Sequence, residues 1–148
     1  MECWVNLSEL AWNQFAGNRG NAREIYPAKG WALGMGNEGI IRFTVDDGDK
    51  TICVSVNSVM TDWEPSGWNY IVGVRDKLDG VIALYVNGEE ATRKKDATKN
   101  LSNANSIVMG YDAMGGAYMN GDMDELKITK KALSKEEIFN RFSRLVIK

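Results

Sequence analysis

Short runs of alternating apolar and polar residues recur along the chain, with glycine, asparagine and aspartate between them. In one run, Ile41, Phe43 and Val45 alternate with Arg42 and Thr44. A period of two places successive side chains on opposite faces and predicts a half-buried β-strand. The same pattern predicts strands in the runs MECWVNL, GWALGMG, KTICVSVNS, GWNYIVGVRD, GVIALYVNG, NSIVMG and GDMDELKIT. Many short strands separated by turn signals are typical of an antiparallel β-sandwich.

Glycines mark two turns between these strands. The run GMGNEG, Gly34 to Gly39, has the spacing of a dinucleotide-binding loop, but such a loop needs a helix that begins at the glycines. A strand pattern follows instead, and the acidic residue expected about 20 positions later is missing. We therefore interpret GMGNEG as a turn between antiparallel strands. Asn87-Gly88 predicts a type I′ hairpin, in which both residues take positive φ.

One helix is predicted at the end of the chain, in the run SKEEIFNRFSRL. Ser134 and Glu137 have the spacing of a capping box, in which each side chain accepts a hydrogen bond from a backbone N–H at the start of the helix. Leu133 precedes the cap and is placed to pack on Ile138. The apolar residues predicted to dock on a sheet are Ile138, Phe139 and Phe142.

Composition excludes several classes of function. The 148 residues fit a single domain, and they contain no run of 18 apolar residues that could span a bilayer. The net charge of −2 provides no broad positive field for a phosphate backbone, so we expect neither nucleic-acid binding nor membrane insertion. We interpret the basic run Arg93 to Lys95 as a solvated loop or an edge strand.

Histidine and cysteine usage narrows the candidate chemistry further. The chain has no histidine, which removes Ser-His-Asp and Cys-His nucleophiles and any imidazole ligand for zinc. Cys3 and Cys53 lie on separate predicted strands. We expect buried free thiols, although a disulfide between them is geometrically possible.

The second half of the chain resembles a known family. The run GWNYIVGVRDKLDGVIALYVNGEEA, followed by IVMG and MNGDMDELKITKKALSKEEI, is similar to the C-terminal half of laminin-G-like, concanavalin A-like jelly-roll domains. Those domains typically show an LYVDG-like hairpin, then G-x-I-D-E-x-x-I and ALS-x-E-E-I. Here Asn87 replaces the usual aspartate of the hairpin, and Met123 replaces the usual isoleucine.

The resemblance implies a fold, a location and a class of function. The expected fold is a two-sheet antiparallel β-sandwich with one short C-terminal helix. Residues 1–148 are expected to form one jelly-roll domain without the family's usual first N-terminal strand. The family is typically extracellular or at the cell surface, often appended to a glycosidase or an adhesin. It binds a glycan or a protein far more often than it catalyses a reaction. Fold by itself does not fix function.

Aromatic residues in loops are the candidate ligand-binding residues. Trp4, Trp31 and Trp68 lie inside predicted strands and are expected to pack in the core or on a sheet face. Trp12 and Trp63 lie in predicted loops, where a ring beside amide and carboxylate groups suits sugar binding, although such rings also fold back over sandwich edges. The predicted glycan-binding residues are Trp12, Trp63, Arg19, Asn21, Tyr26, Tyr111 and Asp112.

The run GDMDEL is the candidate site for acid chemistry or a metal. A period of two predicts Asp122, Asp124 and Leu126 on one face and Glu125 on the other. A jelly-roll glycosidase would need a further carboxylate on that face, so we expect no catalytic residues. An EF-hand loop is excluded, because Glu125 and Lys131 stand where its glycine and its final glutamate belong. No cofactor is required, and Asp122 and Asp124 are the predicted ligands of a possible Ca²⁺ ion.

Three classes of function follow, in order of preference. They are a carbohydrate-binding module, a protein-binding adhesion module and a hydrolase. The first should place Trp12 or Trp63 exposed near polar groups, the second should show a broad apolar patch on one sheet, and the third needs a cleft centred on Asp122 and Asp124.

Overall fold

A computed structural model describes residues 1–19, 28–112 and 117–146. Its strands are β1 (Glu2–Leu7), β2 (Asn13–Gly17), β3 (Gly30–Met35), β4 (Ile40–Asp46), β5 (Thr51–Asn57), β6 (Asn69–Asp76), β7 (Val81–Val86), β8 (Glu89–Lys95), β9 (Val108–Met109), β10 (Tyr111–Asp112), β11 (Ala117–Tyr118) and β12 (Gly121–Lys127). The helix α1 spans Lys135–Val146. Strand β2 was not predicted from the sequence, because its residues NQFAG show no sustained alternation.

The strands form two five-stranded antiparallel sheets. Sheet I has the order β12-β1-β6-β7-β8, and sheet II has the order β5-β4-β3-β2-β9. The hairpin of β10 and β11 continues beside β2, where the Gly110 amide donates to the Phe15 carbonyl at 3.0 Å. The predicted two-sheet sandwich with a short C-terminal helix is confirmed.

The inner faces of the two sheets enclose the core. Phe15, Leu33 and Ile41 of sheet II are fully buried against Ile71 and Leu84 of sheet I. The sheets approach closely in the middle, since a Cβ atom on Gly73 would lie 2.5 Å from the Phe43 ring. Burial of these faces supplies the main driving force for folding.

Two of the tryptophans predicted to pack against the protein do so, and one does not. Trp31 packs partly buried against the core, and Trp4 is buried on the outer face of sheet I. Trp68 directly precedes β6 and is 43% exposed, so it is not buried in the core.

Helix α1 covers the outer face of sheet I. Ile138 is fully buried there with Leu133, and Phe142 stacks on Trp4 with ring centroids 5.8 Å apart. The prediction that Phe139 docks on the sheet is wrong, since one residue beyond Ile138 turns it about 100° around the helix and leaves it 49% exposed.

The capping box and both predicted turns are confirmed. The Ser134 amide donates to Glu137 at 2.8 Å, and the Glu137 amide donates to the Ser134 hydroxyl at 3.1 Å. Asn87 and Gly88 have φ of 49° and 87°. The GMGNEG segment links antiparallel β3 and β4 through a 3-10 turn at Asn37–Gly39, so no long helix begins at its glycines.

Three further expectations can be compared with the described residues. Arg93 to Lys95 end the edge strand β8, as one of the two interpretations had it. Cys3 is buried and Cys53 is half-buried, and both are free thiols. Within the described ranges, no helix has the length and apolar character needed to cross a membrane.

Candidate functional site

The outer face of sheet II brings polar side chains together on regular strands. On β4 the core-facing residues are Ile41, Phe43 and Val45, so Arg42 and Thr44 point to the opposite face. The same alternation on the neighbouring strands adds Gln14, Ala32, Gly34, Cys53 and Ser55. Among the described residues the α-helix packs against sheet I, and no helix covers this face of sheet II.

Four of these residues lie in one row across the strands. Gln14 pairs with Gly34, Gly34 with Arg42, and Arg42 with Ser55. The row therefore presents an amide, a bare backbone position, a guanidinium and a hydroxyl in sequence. Strand pairing therefore sets the backbone spacing of these four positions.

Trp12 lies at one end of this face, directly before β2. It is half-buried, and the Arg42 guanidinium carbon lies 5.2 Å from the centroid of its ring. A cation at this distance from an indole ring is attracted by the negative electrostatic potential of the ring face. The structure therefore brings the predicted residue Trp12 together with Arg42, which the predicted set of ligand-binding residues did not contain.

Trp63 is placed elsewhere, in the loop between β5 and β6. It packs against the core cluster, and its indole N–H is buried without a hydrogen-bond partner. The sequence argument that this ring has no core to enter is therefore wrong, because the loop folds back over the edge of the sandwich. Trp63 and Trp12 do not share the sheet II outer face.

Arg19 is engaged in an internal ion pair. Its guanidinium lies 3.0 Å from Asp46, and the two side chains are 5% and 0% exposed. Burial would raise the pKa of Asp46, but hydrogen bonds from Thr51, Gly48 and Ala28 and the charge of Arg19 hold that pKa below its usual value. Arg19 thus stabilises the end of β4, and its position is that of a structural residue.

Tyr111 and Asp112 lie on the short hairpin beside β2. The rings of Tyr111 and Tyr118 are 4.8 Å apart between centroids, and Tyr118 is 76% exposed. Asp112 pairs through its backbone with Ala117. The predicted site residues Asn21 and Tyr26 lie outside the described residues.

Asp122 and Asp124 are exposed on β12 at the edge of sheet I, opposite Asn6 and Trp4 of β1. The predicted shared face with Leu126 is wrong, because Glu125 has φ of 51° and forms a bulge that breaks the alternation. Met123 and Leu126 both pack against the core as a result.

This edge of sheet I is a poor match for both proposed uses of the aspartates. Within the described ranges, no three acidic or cysteine side chains converge on a point that could hold a metal ion. Calcium takes six to eight oxygen ligands, so binding by Asp122 and Asp124 stays a prediction that needs backbone carbonyls and water. Glycoside hydrolysis also needs an acid held in an apolar pocket, whereas both aspartates are exposed.

Arg42 is the site residue that sequence reasoning missed. The alternation in IIRFTV already placed it on an outward face, so the signal was present. What the sequence did not show was strand β2, which carries Trp12 to the same face.

Comparison with known proteins decides the family. The family model described as "Concanavalin A-like lectin/glucanases superfamily" matches residues 1–139. The chain belongs to this superfamily. The resemblance predicted from the hairpin and the capping-box run is thereby confirmed. No curated protein matches the chain.

Several binding domains of known structure have the same fold as this chain. The CBM40 of Ruminococcus gnavus IT-sialidase, bound to alpha2,3 sialyllactose, has 15% identity and a TM-score of 0.72 over 95% of this chain and 80% of that one. The binding domain of Paraclostridial Mosquitocidal Protein 1 has 18% identity and a TM-score of 0.73, over 97% of this chain and 36% of that one. The binding domain of botulinum neurotoxin serotype D has 18% identity and a TM-score of 0.70, over 99% and 36%. At these identities the likeness shows the fold alone.

Proposed function

We propose that this domain is a non-catalytic carbohydrate-binding module, and that the sheet II outer face around Trp12 and Arg42 is its ligand-binding surface. The observation that carries the proposal is the difference between the two outer faces. Sheet I is covered by α1 through Leu133 and Ile138. Sheet II presents its ordered row of polar groups with an aromatic ring at one end.

The chemistry of this face suits a sugar. A pyranose offers hydroxyl groups that donate and accept hydrogen bonds, together with apolar C–H faces that pack on an aromatic ring. Gln14 and Ser55 supply amide and hydroxyl groups, and Gly34 leaves the backbone open between them. Binding sites of this kind combine apolar contact with a few well-placed polar groups.

Binding domains with the same fold support the proposal. One is a carbohydrate-binding domain bound to a sialyl oligosaccharide, and the others are binding domains of toxins. A protein ligand is the alternative. A broad apolar patch on one sheet would favour that alternative, but Gln14, Arg42 and Ser55 interrupt the small and apolar residues of the sheet II outer face. We also propose an extracellular or cell-surface location within a larger chain, as the superfamily resemblance implies.

A glycan array followed by titration calorimetry tests the proposal. We expect at least one glycan to bind, and Trp12→Ala to weaken its affinity about tenfold or more, because a buried aromatic contact is typically worth more than about 1 kcal/mol. Trp68→Ala is the control, since it also removes a partly exposed indole ring but directly before β6 of sheet I. An array without signal, with a control lectin working, would reject the glycan proposal in favour of a protein ligand.

A further inference from the structure

Most arginines in the described part of the chain have carboxylate partners. Those with an ion pair in the described residues are Arg19, Arg75, Arg93 and Arg141. Arg42 and Arg144 have none within 4.0 Å in that part of the chain. Arg144 is exposed at the end of α1, where water solvates its charge. Arg42 is half-buried, so its charge has lost part of its water without gaining an anion.

The guanidinium of Arg42 is also held in position. A Cβ atom on Gly36 would lie 3.1 Å from its guanidinium carbon, so the side chain lies directly over this glycine. The ring of Trp12 contacts it at 5.2 Å. No described oxygen accepts a hydrogen bond from its N–H groups. A fixed guanidinium with free donors loses less conformational entropy when it binds an anion than a mobile one does.

The charge around Arg42 is favourable for an anion. The other side chains of the described sheet II outer face are neutral, namely Gln14, Ala32, Thr44, Cys53 and Ser55. Asp46, at the far end of β4, is neutralised by Arg19 at 3.0 Å. A local positive charge thus stands on a chain whose net charge is −2.

From these observations we infer that the module selects acidic glycans, and that Arg42 is the residue that binds their carboxylate or sulfate group. The paired N–H donors of arginine match two oxygens of a carboxylate or of a sulfate, which makes arginine a specificity determinant as well as a source of affinity. The inference rests on the proposed function, since it assigns a ligand class to the same face.

Matched pairs of ligands test this inference by calorimetry. The first set is 3′-sialyllactose, 3′-sulfolactose and lactose, and the second is an oligogalacturonate with its methyl ester. We expect the acidic member of at least one set to bind about ten- to a hundredfold more tightly than its neutral core, the usual range for a hydrogen bond to a charged group. Preference for the carboxylate over the sulfate would identify the source of the negative charge.

Variants then assign the preference to a residue. Arg42→Gln should remove the difference between acidic and neutral ligands, and Arg42→Lys should restore part of it, because lysine keeps the charge but not the paired donors. Arg144→Gln is the matched control and should change nothing. Tm values of all variants show whether they fold.

The outcomes separate the two proposals. Binding of neutral glycans only, or an acidic preference that survives Arg42→Gln in the folded protein, would overturn the inference and leave the carbohydrate-binding proposal standing. Absence of binding to every glycan would overturn both.

Discussion

Replacement of Ile138 by alanine should destabilise the domain without affecting the proposed ligand-binding face, the sheet II outer face. Ile138 is fully buried between α1 and sheet I, packed with Trp4, Tyr70 and Leu133. The substitution removes three methyl or methylene groups, each worth about 0.8 kcal/mol of transfer free energy, and leaves a cavity beside rings that cannot easily collapse. We expect a loss of about 3 kcal/mol in the free energy of unfolding.

Thermal and urea denaturation followed by circular dichroism measure this loss. For a domain of this size each kcal/mol lowers Tm by about 2–4 °C, so Ile138→Ala should lower Tm by about 6–12 °C. Phe139→Ala is the control on the neighbouring position, and its Tm should fall by less than about 4 °C because that ring is 49% exposed. Equal losses for the two variants would refute the described packing of α1.

Two further predictions concern ionisable groups. The side-chain hydrogen bond from Arg93, assisted by one from Tyr85, lowers the pKa of Glu90 to about 2. The charged carboxylate is therefore stabilised by folding, and its contribution is present above the unfolded value near 4.3 and lost as pH falls from about 5 towards 2. Melts of the parent and Glu90→Gln should converge over that range, and parallel curves would contradict the assignment. If Asp122 and Asp124 bind Ca²⁺, a hundredfold excess over Kd adds about 2.7 kcal/mol and raises Tm by about 5–10 °C. Asp124→Asn should abolish this difference between the Tm in Ca²⁺ and the Tm in EDTA. If the parent protein has the same Tm in Ca²⁺ and in EDTA, the aspartates bind no calcium.

Local sequence patterns predicted the turn and the start of the helix, because interactions between residues close in sequence determine both. The Ser134–Glu137 capping box and the Asn87-Gly88 turn depend on residues adjacent in sequence, and both form as predicted. The alternating pattern gave a wrong prediction in β12, where one extra residue shifts the pairing with β1. The bulge at Glu125 turns Leu126 towards the core, and the sequence GDMDEL contains no residue pattern that predicts a bulge.

The candidate site depends on contacts between residues distant in sequence, which explains why it could be predicted only in part. Trp12 was predicted as a ligand-binding residue because it is an aromatic residue in a loop. Its place in the candidate site depends on its contact with Arg42, which the pairing of β2 with β3 and of β3 with β4 brings beside it. Trp63 had the same loop context and packs on the core instead. Sequence context near each tryptophan cannot distinguish these outcomes, because sheet register decides them.

The same alternation that builds the sandwich also separates the core residues from those of the proposed binding face. On β4 the residues Ile41 and Phe43 enter the core while Arg42 faces outward, so one strand contributes to the core and to the proposed binding face. On sheet I the corresponding outer face is apolar at Val72, and α1 covers it with Ile138. A sandwich with one covered outer face and one polar outer face can thus change the residues around Arg42 without disturbing its core. Substitutions on the sheet II outer face should therefore alter ligand preference at nearly constant Tm, whereas those under α1 should do the reverse.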